Sequence, residues 1–238
     1  MMTEIIIDIE TIPDLEYGKE HMNLNGLADE DIIRAMTFRF LQQSGSEFPP
    51  LNMHKIIAIS FLKVSSEETT MTSLSMNDHS EEDMLRTLHE ALQNDISKLI
   101  SWNGLTFDIP VILIRSMIHE LISSELFISS SKHLDLKHEI SFAQTDKIQG
   151  LGTLSKQIGS PGKPLDSGKI VWDLYLENAF SEITEYCESD VINTYLIYLS
   201  YQLLTQIIDN NQKQLKLNEL IEFIQHYNPI HMTLLTKS

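Results

Sequence analysis

The chain has 238 residues, 42% of them hydrophobic and 21% charged, which is enough apolar material for a buried core. Its formal net charge of −17 argues against capture of a phosphate backbone by long-range attraction and suits an acidic soluble protein, a cation-binding protein, or both. The single cysteine, Cys187, excludes an intrachain disulfide and points to a reducing, cytoplasmic setting. Glu4 and Asp8 interrupt the first apolar run, so neither a signal peptide nor a transmembrane segment is expected.

Residues 4–10 of the opening EIIIDIETIP read as a strand that Pro13 ends. Alternation puts Ile5, Ile7 and Ile9 on one face, and Ile6, Asp8 and Glu10 on the other. Residues 14–50 are a polar excursion with a helix around Leu27–Leu41, closed by Gly45, Pro49 and Pro50. Strands follow at 54–64 and 69–76. Ser80 caps a helix that runs to about Asn94, with Met84, Leu85, Leu88, Ala91 and Leu92 on its apolar side. KLISW at 98–102 is a short buried strand, NGLTF a loop, and 108–122 a helix with Pro110 in its first turn. LFIS at 126–129 is weakly strand-like. Asp135 and Asp173 read as helix caps, and LGTLSKQIG at 151–159 as a short helix. A long helix is expected from about Ser181 to Ile208 and a last amphipathic one over 218–228. Three strands followed by α-β-α predict an α/β fold, a mixed sheet with helices on both faces. One domain over 1–238 is expected, with the excursion at 14–50 and a helical tail at 209–238.

Three acidic motifs stand out. In Asp8-Ile9-Glu10 a strand places both carboxylates on one face, about 6.6 to 7 Å apart; taken alone this is first a polar strand face in water, and the spacing also suits two acids sharing a cation. In SWNGLTFDIP a buried strand ends and Asp108 sits at a helix start, either as a simple N-cap or in the space beyond the strand ends where ligands collect. Asn103 and Phe107 offer an amide and a ring to a substrate there. Tyr186 and Asp190, four apart on a helix, share a face. His133 and His138 lack a second pair at zinc spacing, so no zinc is assigned. Cys187 reads as packing.

In this order the motifs resemble the DEDD superfamily of 3′–5′ exonucleases, which have a ribonuclease H-like fold. D-x-E is matched by Asp8 and Glu10, N-x-x-x-F-D by Asn103, Phe107 and Asp108, and the Y-x-x-x-D of the tyrosine variant by Tyr186 and Asp190. The chain resembles still more closely the stand-alone predicted exonucleases related to family-B polymerase proofreading domains, through Asp8–Asp14, Phe107–Pro110, Pro161–Lys163 and Tyr186–Val191. The resemblance implies metal-dependent hydrolysis of phosphodiester bonds, at 3′ ends of single-stranded DNA, with two Mg²⁺ or Mn²⁺ ions held by Asp8, Glu10, Asp108 and Asp190. Tyr186 would orient the attacking water, because a phenol of pKa about 10 is a poor base at neutral pH. Lys163 would meet the substrate backbone, or is an exposed loop lysine. An exoribonuclease of the same fold, or a binding module that has lost turnover, is the alternative. The acidity of the chain leaves room for a partner protein that delivers substrate; no membrane partner is expected.

Overall fold

The structure is a computed structural model that describes residues 3–93, 96–123, 132–160 and 169–235. Its centre is β1 (Thr3–Pro13), flanked by β2 (His54–Val64) and β4 (Ile96–Ser101). β3 (Thr69–Ser75) and β5 (His133–Asp135) complete a five-stranded sheet of order β3-β2-β1-β4-β5. The β1–β2 and β2–β3 pairs are antiparallel, and β1–β4 and β4–β5 parallel, so the sheet is mixed as expected.

The position of β1 explains its isoleucines. A central strand is covered on both faces, so Ile5, Ile7 and Ile9 enter one core and Ile6 another. Each fully buried aliphatic side chain contributes about 1.5–3 kcal/mol. On the first face lie α3 (Glu81–Ala91) and α4 (Asp108–Ile118), through Met84, Leu85, Leu88, Ile109 and Ile112. α3 starts at a full capping box: Ser80 accepts from the Asp83 amide, and Asp83 accepts from the Ser80 amide.

The second face carries the long helix, which runs over Phe180–Leu204 and packs Val191, Ile192, Tyr195 and Tyr198 against Ile6, Leu62 and Ile100. It ends four residues before the expected Ile208. The chain turns, and Asp209 caps a separate helix over Asn210–Tyr227 through a second capping box with Gln212. The expected start at 218 missed that box, since D-x-x-Q is a weaker signal than the apolar run after it. The 108–122 helix likewise stops at Ile118, where His119 and a left-handed Glu120 (φ 53°) take over. The apolar run continues past that stop, and periodicity alone does not register it.

The excursion forms α1 (Leu15–His21) and α2 (Asp29–Ser44), which bury Leu15, Ile32, Ile33, Met36 and Phe40 against Ile12, Ile57 and Trp172. Gly45 ends α2 in the left-handed conformation (φ 75°) that favours glycine. α1 was not expected: its short sequence has too little apolar repeat, and Asp14 caps it by accepting from the Tyr17 amide. Asp173 is a correction. It lies inside a helix over Lys169–Leu176 and caps nothing. Short helices at Leu136–Ile140 and Leu151–Gln157 precede it, the first capped by Asp135 as read. In chain order these are α5 (Leu136–Ile140), α6 (Leu151–Gln157), α7 (Lys169–Leu176), α8 (Phe180–Leu204) and α9 (Asn210–Tyr227). The strand-like LFIS stretch falls outside the described residues. Among the described residues no helix is long and apolar enough to cross a membrane.

Candidate active site

β1 and α8 run past each other in opposite directions. Near the start of β1, Glu4 accepts a hydrogen bond from Tyr198, late in α8. Further along β1, the Cys187 thiol donates to the Asp8 carbonyl at 3.4 Å and to Asp8 Oδ2 at 3.5 Å. This alignment sets the polar end of β1 against Tyr186, Cys187 and Asp190. A bulge between Glu10 and Thr11 then bends the strand just beyond the two acids.

The second acidic motif arrives from the side. β4 ends at Ser101, and the loop after it is held by Asp135, which is 3% exposed and accepts from the amides of Asn103 (2.9 Å), Leu105 (3.0 Å) and His138 (3.2 Å). Asn103 itself is left-handed (φ 68°). Gly104 is required by close approach: a Cβ there would sit 2.3 Å from Ser101 Oγ. The turn delivers Asp108 as the first residue of α4; the capping position belongs to Phe107. Asp108 is 4% exposed. Burial pushes its carboxyl well above the usual range and the charges of Asp135 and Asp190 add to the rise, while the amides of Asp108 and Ile9 pull it back.

Asp8, Glu10, Asn103, Phe107, Asp108, Tyr186 and Asp190 line a single cleft of about 310 Å³. Seven of the eight residues expected at the site are thus brought together. The eighth, Lys163, lies outside the described residues. Ligand atoms of Asp8, Glu10 and Cys187 fall within 4.8 Å of one another. Cys187 is buried, and burial together with the Asp8 and Glu10 charges pushes its thiol well above its ordinary value. It is therefore a hydrogen-bond donor to Asp8, and the donors left for a cation are carboxylate oxygens. That set suits a hard divalent ion such as Mg²⁺ or Mn²⁺.

Other lining residues escaped sequence reasoning. Phe48 comes from the end of the excursion, half exposed, with its ring 5.4 Å from that of Phe107. Both rings pack on His54, at 4.8 and 5.0 Å. His54 is fully buried: its Nε2 donates to the Pro49 carbonyl at 3.1 Å, and its Nδ1 accepts from Thr11 Oγ1 at 2.8 Å. A carbonyl can only accept, so the proton is on Nε2. Trp172 also lines the cleft and donates to the Thr11 carbonyl at 3.1 Å. Lys137 is the one lysine or arginine lining the cleft among the described residues.

The family described as "Predicted 3'-5' exonuclease related to the exonuclease domain of PolB" matches residues 46–237. The chain belongs to this family. No curated protein matches it. The family B DNA polymerase of the hyperthermophilic archaeon Pyrobaculum calidifontis superposes with a TM-score of 0.56 at 15% identity, over 86% of this chain and 25% of that one. Escherichia coli exonuclease I superposes more loosely. Its zinc-ion-bound complex with single-stranded DNA gives a TM-score of 0.43 at 11% identity, over 91% of this chain and 43% of that one. Its complex with a dT13 oligonucleotide gives 0.38 at 12% identity, over 94% and 44%. The chain thus spans about a quarter of the polymerase and under half of exonuclease I. At 15% identity the polymerase likeness bears on the fold, which is the ribonuclease H-like arrangement of such exonucleases. The family match begins after Asp8 and Glu10, yet β1 carries both acids into the same cleft as Asp108 and Asp190.

Proposed function

We propose that the protein is a metal-dependent 3′–5′ exonuclease of the tyrosine DEDD type, acting on 3′ ends of single-stranded DNA. The observation that carries this is the cleft in which four carboxylates and Tyr186, from β1, α4 and α8, face one space. Bound there, two divalent ions would supply a hydroxide nucleophile at neutral pH and charge stabilisation on the phosphate. Asp8 would hold both ions, Glu10 and Asp190 one of them, and Asp108 the other. Tyr186 orients the attacking water through its hydroxyl. Phe107, Phe48 and Trp102 offer ring faces on which bases of a single strand stack. Asn103 and Lys137 offer polar and cationic contacts to the backbone, with Lys163 as a further cation. The family's relation to a DNA polymerase exonuclease domain favours DNA over RNA.

The test is release of mononucleotides from end-labelled single strands, in matched DNA and RNA. Activity should stop with EDTA, return with Mg²⁺ or Mn²⁺, and vanish in Asp8→Ala and Asp190→Asn without a change of fold. Full activity in either variant refutes the metal assignment, and faster cleavage of RNA refutes the substrate.

A further inference from the structure

A second and larger cavity, about 890 Å³, opens at the other end of the sheet. It lies between the β2–β3 hairpin, the turn after α8, and α9. Its lining includes Glu4 at the start of β1, four residues before Asp8, the first β1 residue of the catalytic cleft, which is about 13 Å along the strand. It shares no lining residue with that cleft.

The floor is apolar. Ile207 and Leu215 line it while 57% and 58% exposed, and Phe223 and Val64 sit beside them. The walls are acidic on both sides: Glu67 and Glu68 on the hairpin, Glu219 and Glu222 on α9. The hairpin turn is tied by Ser65, whose Oγ accepts from the amides of Glu67 and Glu68 and donates to the Glu68 carbonyl. Among the described residues, Lys216 is the one lysine or arginine of the lining. Gln202 adds an independent mark. It lines the same cavity at 5% exposure, turns its side chain to Tyr198, and leaves Oε1 without a hydrogen-bond partner among the described residues. A buried acceptor without a donor is costly, and an arriving N–H would relieve it.

We infer that this groove docks a basic amphipathic segment of a partner protein. Its apolar side chains would cover Ile207, Leu215 and Phe223, and its lysines or arginines would pair with the four wall glutamates. Charge selects this occupant. Nucleic acid and anionic lipid headgroups are repelled by the walls, and a second copy of a chain of net charge −17 is repelled too. The inference goes beyond the nuclease activity and does not depend on it. If the activity holds, a cation-rich partner seated here leaves the cleft open and supplies the attraction for a polyanionic strand that this chain lacks.

The probe is a fluorescent Leu/Lys amphipathic peptide of about eighteen residues, long enough for five helical turns. Binding to the full chain is followed by anisotropy, beside a Leu/Glu peptide of the same pattern. The Leu/Lys peptide should saturate one site and weaken as salt rises. Glu219→Lys with Glu222→Lys, and separately Leu215→Glu, should each weaken it about ten-fold or more. A charge-matched control, Glu90→Lys with Glu182→Lys, changes exposed glutamates outside the groove and should leave affinity unchanged. Thermal melting establishes that the variants are folded, and strand cleavage should be unaltered in all of them. Equal loss in the control pair, equal binding of the Leu/Glu peptide, or no saturable binding overturns the inference. These outcomes are read without nuclease activity, so they stand apart from failure of the exonuclease assignment.

Discussion

Arg115→Met should unfold the protein more easily by about 3–5 kcal/mol, the cost of leaving buried charge without its partner. Arg115 is 3% exposed near the end of α4. Its Nε and Nη2 donate to the two Glu81 oxygens at 2.8 and 2.5 Å, and its Nη1 donates to Asp14 Oδ2 at 2.7 Å. Both acids are buried. Glu81 keeps two donors, the Ile56 amide at 2.7 Å and His119 at 2.9 Å, but the Asp14 Oδ2 contact is lost outright. For a chain of this length each kcal/mol moves the melting temperature by about 2–4 °C, so a fall of about 6–20 °C is expected. Urea titration near pH 8 measures it. Glu81→Gln keeps the acceptor for Ile56 while removing charge, so the double variant should lose less than the two single losses added together. A loss under about 1 kcal/mol, or strict additivity, would refute a coupled buried network.

Three further outcomes follow from the cleft. Burial lowers the His54 pKa to about 4, so the neutral ring contributes stability that is complete above about pH 6.5 and lost as pH falls toward 4; against His54→Gln, wild type should lose about 3 kcal/mol more over that range in denaturant titrations, and parallel curves would contradict the assignment. Gly104→Ala forces a Cβ against Ser101 in the loop that aims Asp108, and should cost about 1–3 kcal/mol and most of the activity, whereas Leu105→Ala, at an exposed position of the same loop, should stay near wild type in a paired melt and nuclease assay. Lys137→Ala should raise KM for a single strand and reduce the salt slope of binding by about one unit with kcat little changed; an unaltered slope removes Lys137 from the backbone contact.

What the sequence shows follows the range of the interactions involved. Asp8 with Glu10 and Tyr186 with Asp190 are two and four residues apart, the periods of a strand and a helix, so local repeat alone aligned each pair. Asp108 was legible as a residue at a helix start. The supports of these groups were not. Asp135 reaches the Asn103 amide across 32 residues, Thr11 reaches His54 across 43, and Arg115 reaches Asp14 across 101. No periodicity reports such pairs, and their partners are ordinary residue types. Phe48 was hidden for a second reason. It closes a polar excursion, and its ring packs on His54 and Phe107, contacts between segments that no local repeat reports.

The stretch Asp8–Asp14 therefore divides its labour by position along one strand. Asp8 and Glu10 face the cleft, and Ile9 and Ile12 between and after them anchor two different cores. Past the bulge, Thr11 holds His54 through its hydroxyl and Trp172 through its carbonyl. Asp14 then closes the strand in the Arg115 network and caps α1. Three carboxylates in seven residues looked alike in sequence, yet they sit in opposite settings. Asp14 has a permanent cation built into the protein, at the far end of the helix that begins with Asp108. Asp8 takes the Cys187 thiol as a donor and, with Glu10, lines the cleft that the Asp108 loop and α8 share, an arrangement that suits an exchangeable cation. A fixed partner belongs to an acid that holds the framework. The two acids of the proposed metal site line the cleft instead, and the bulge after Glu10 separates them from Asp14.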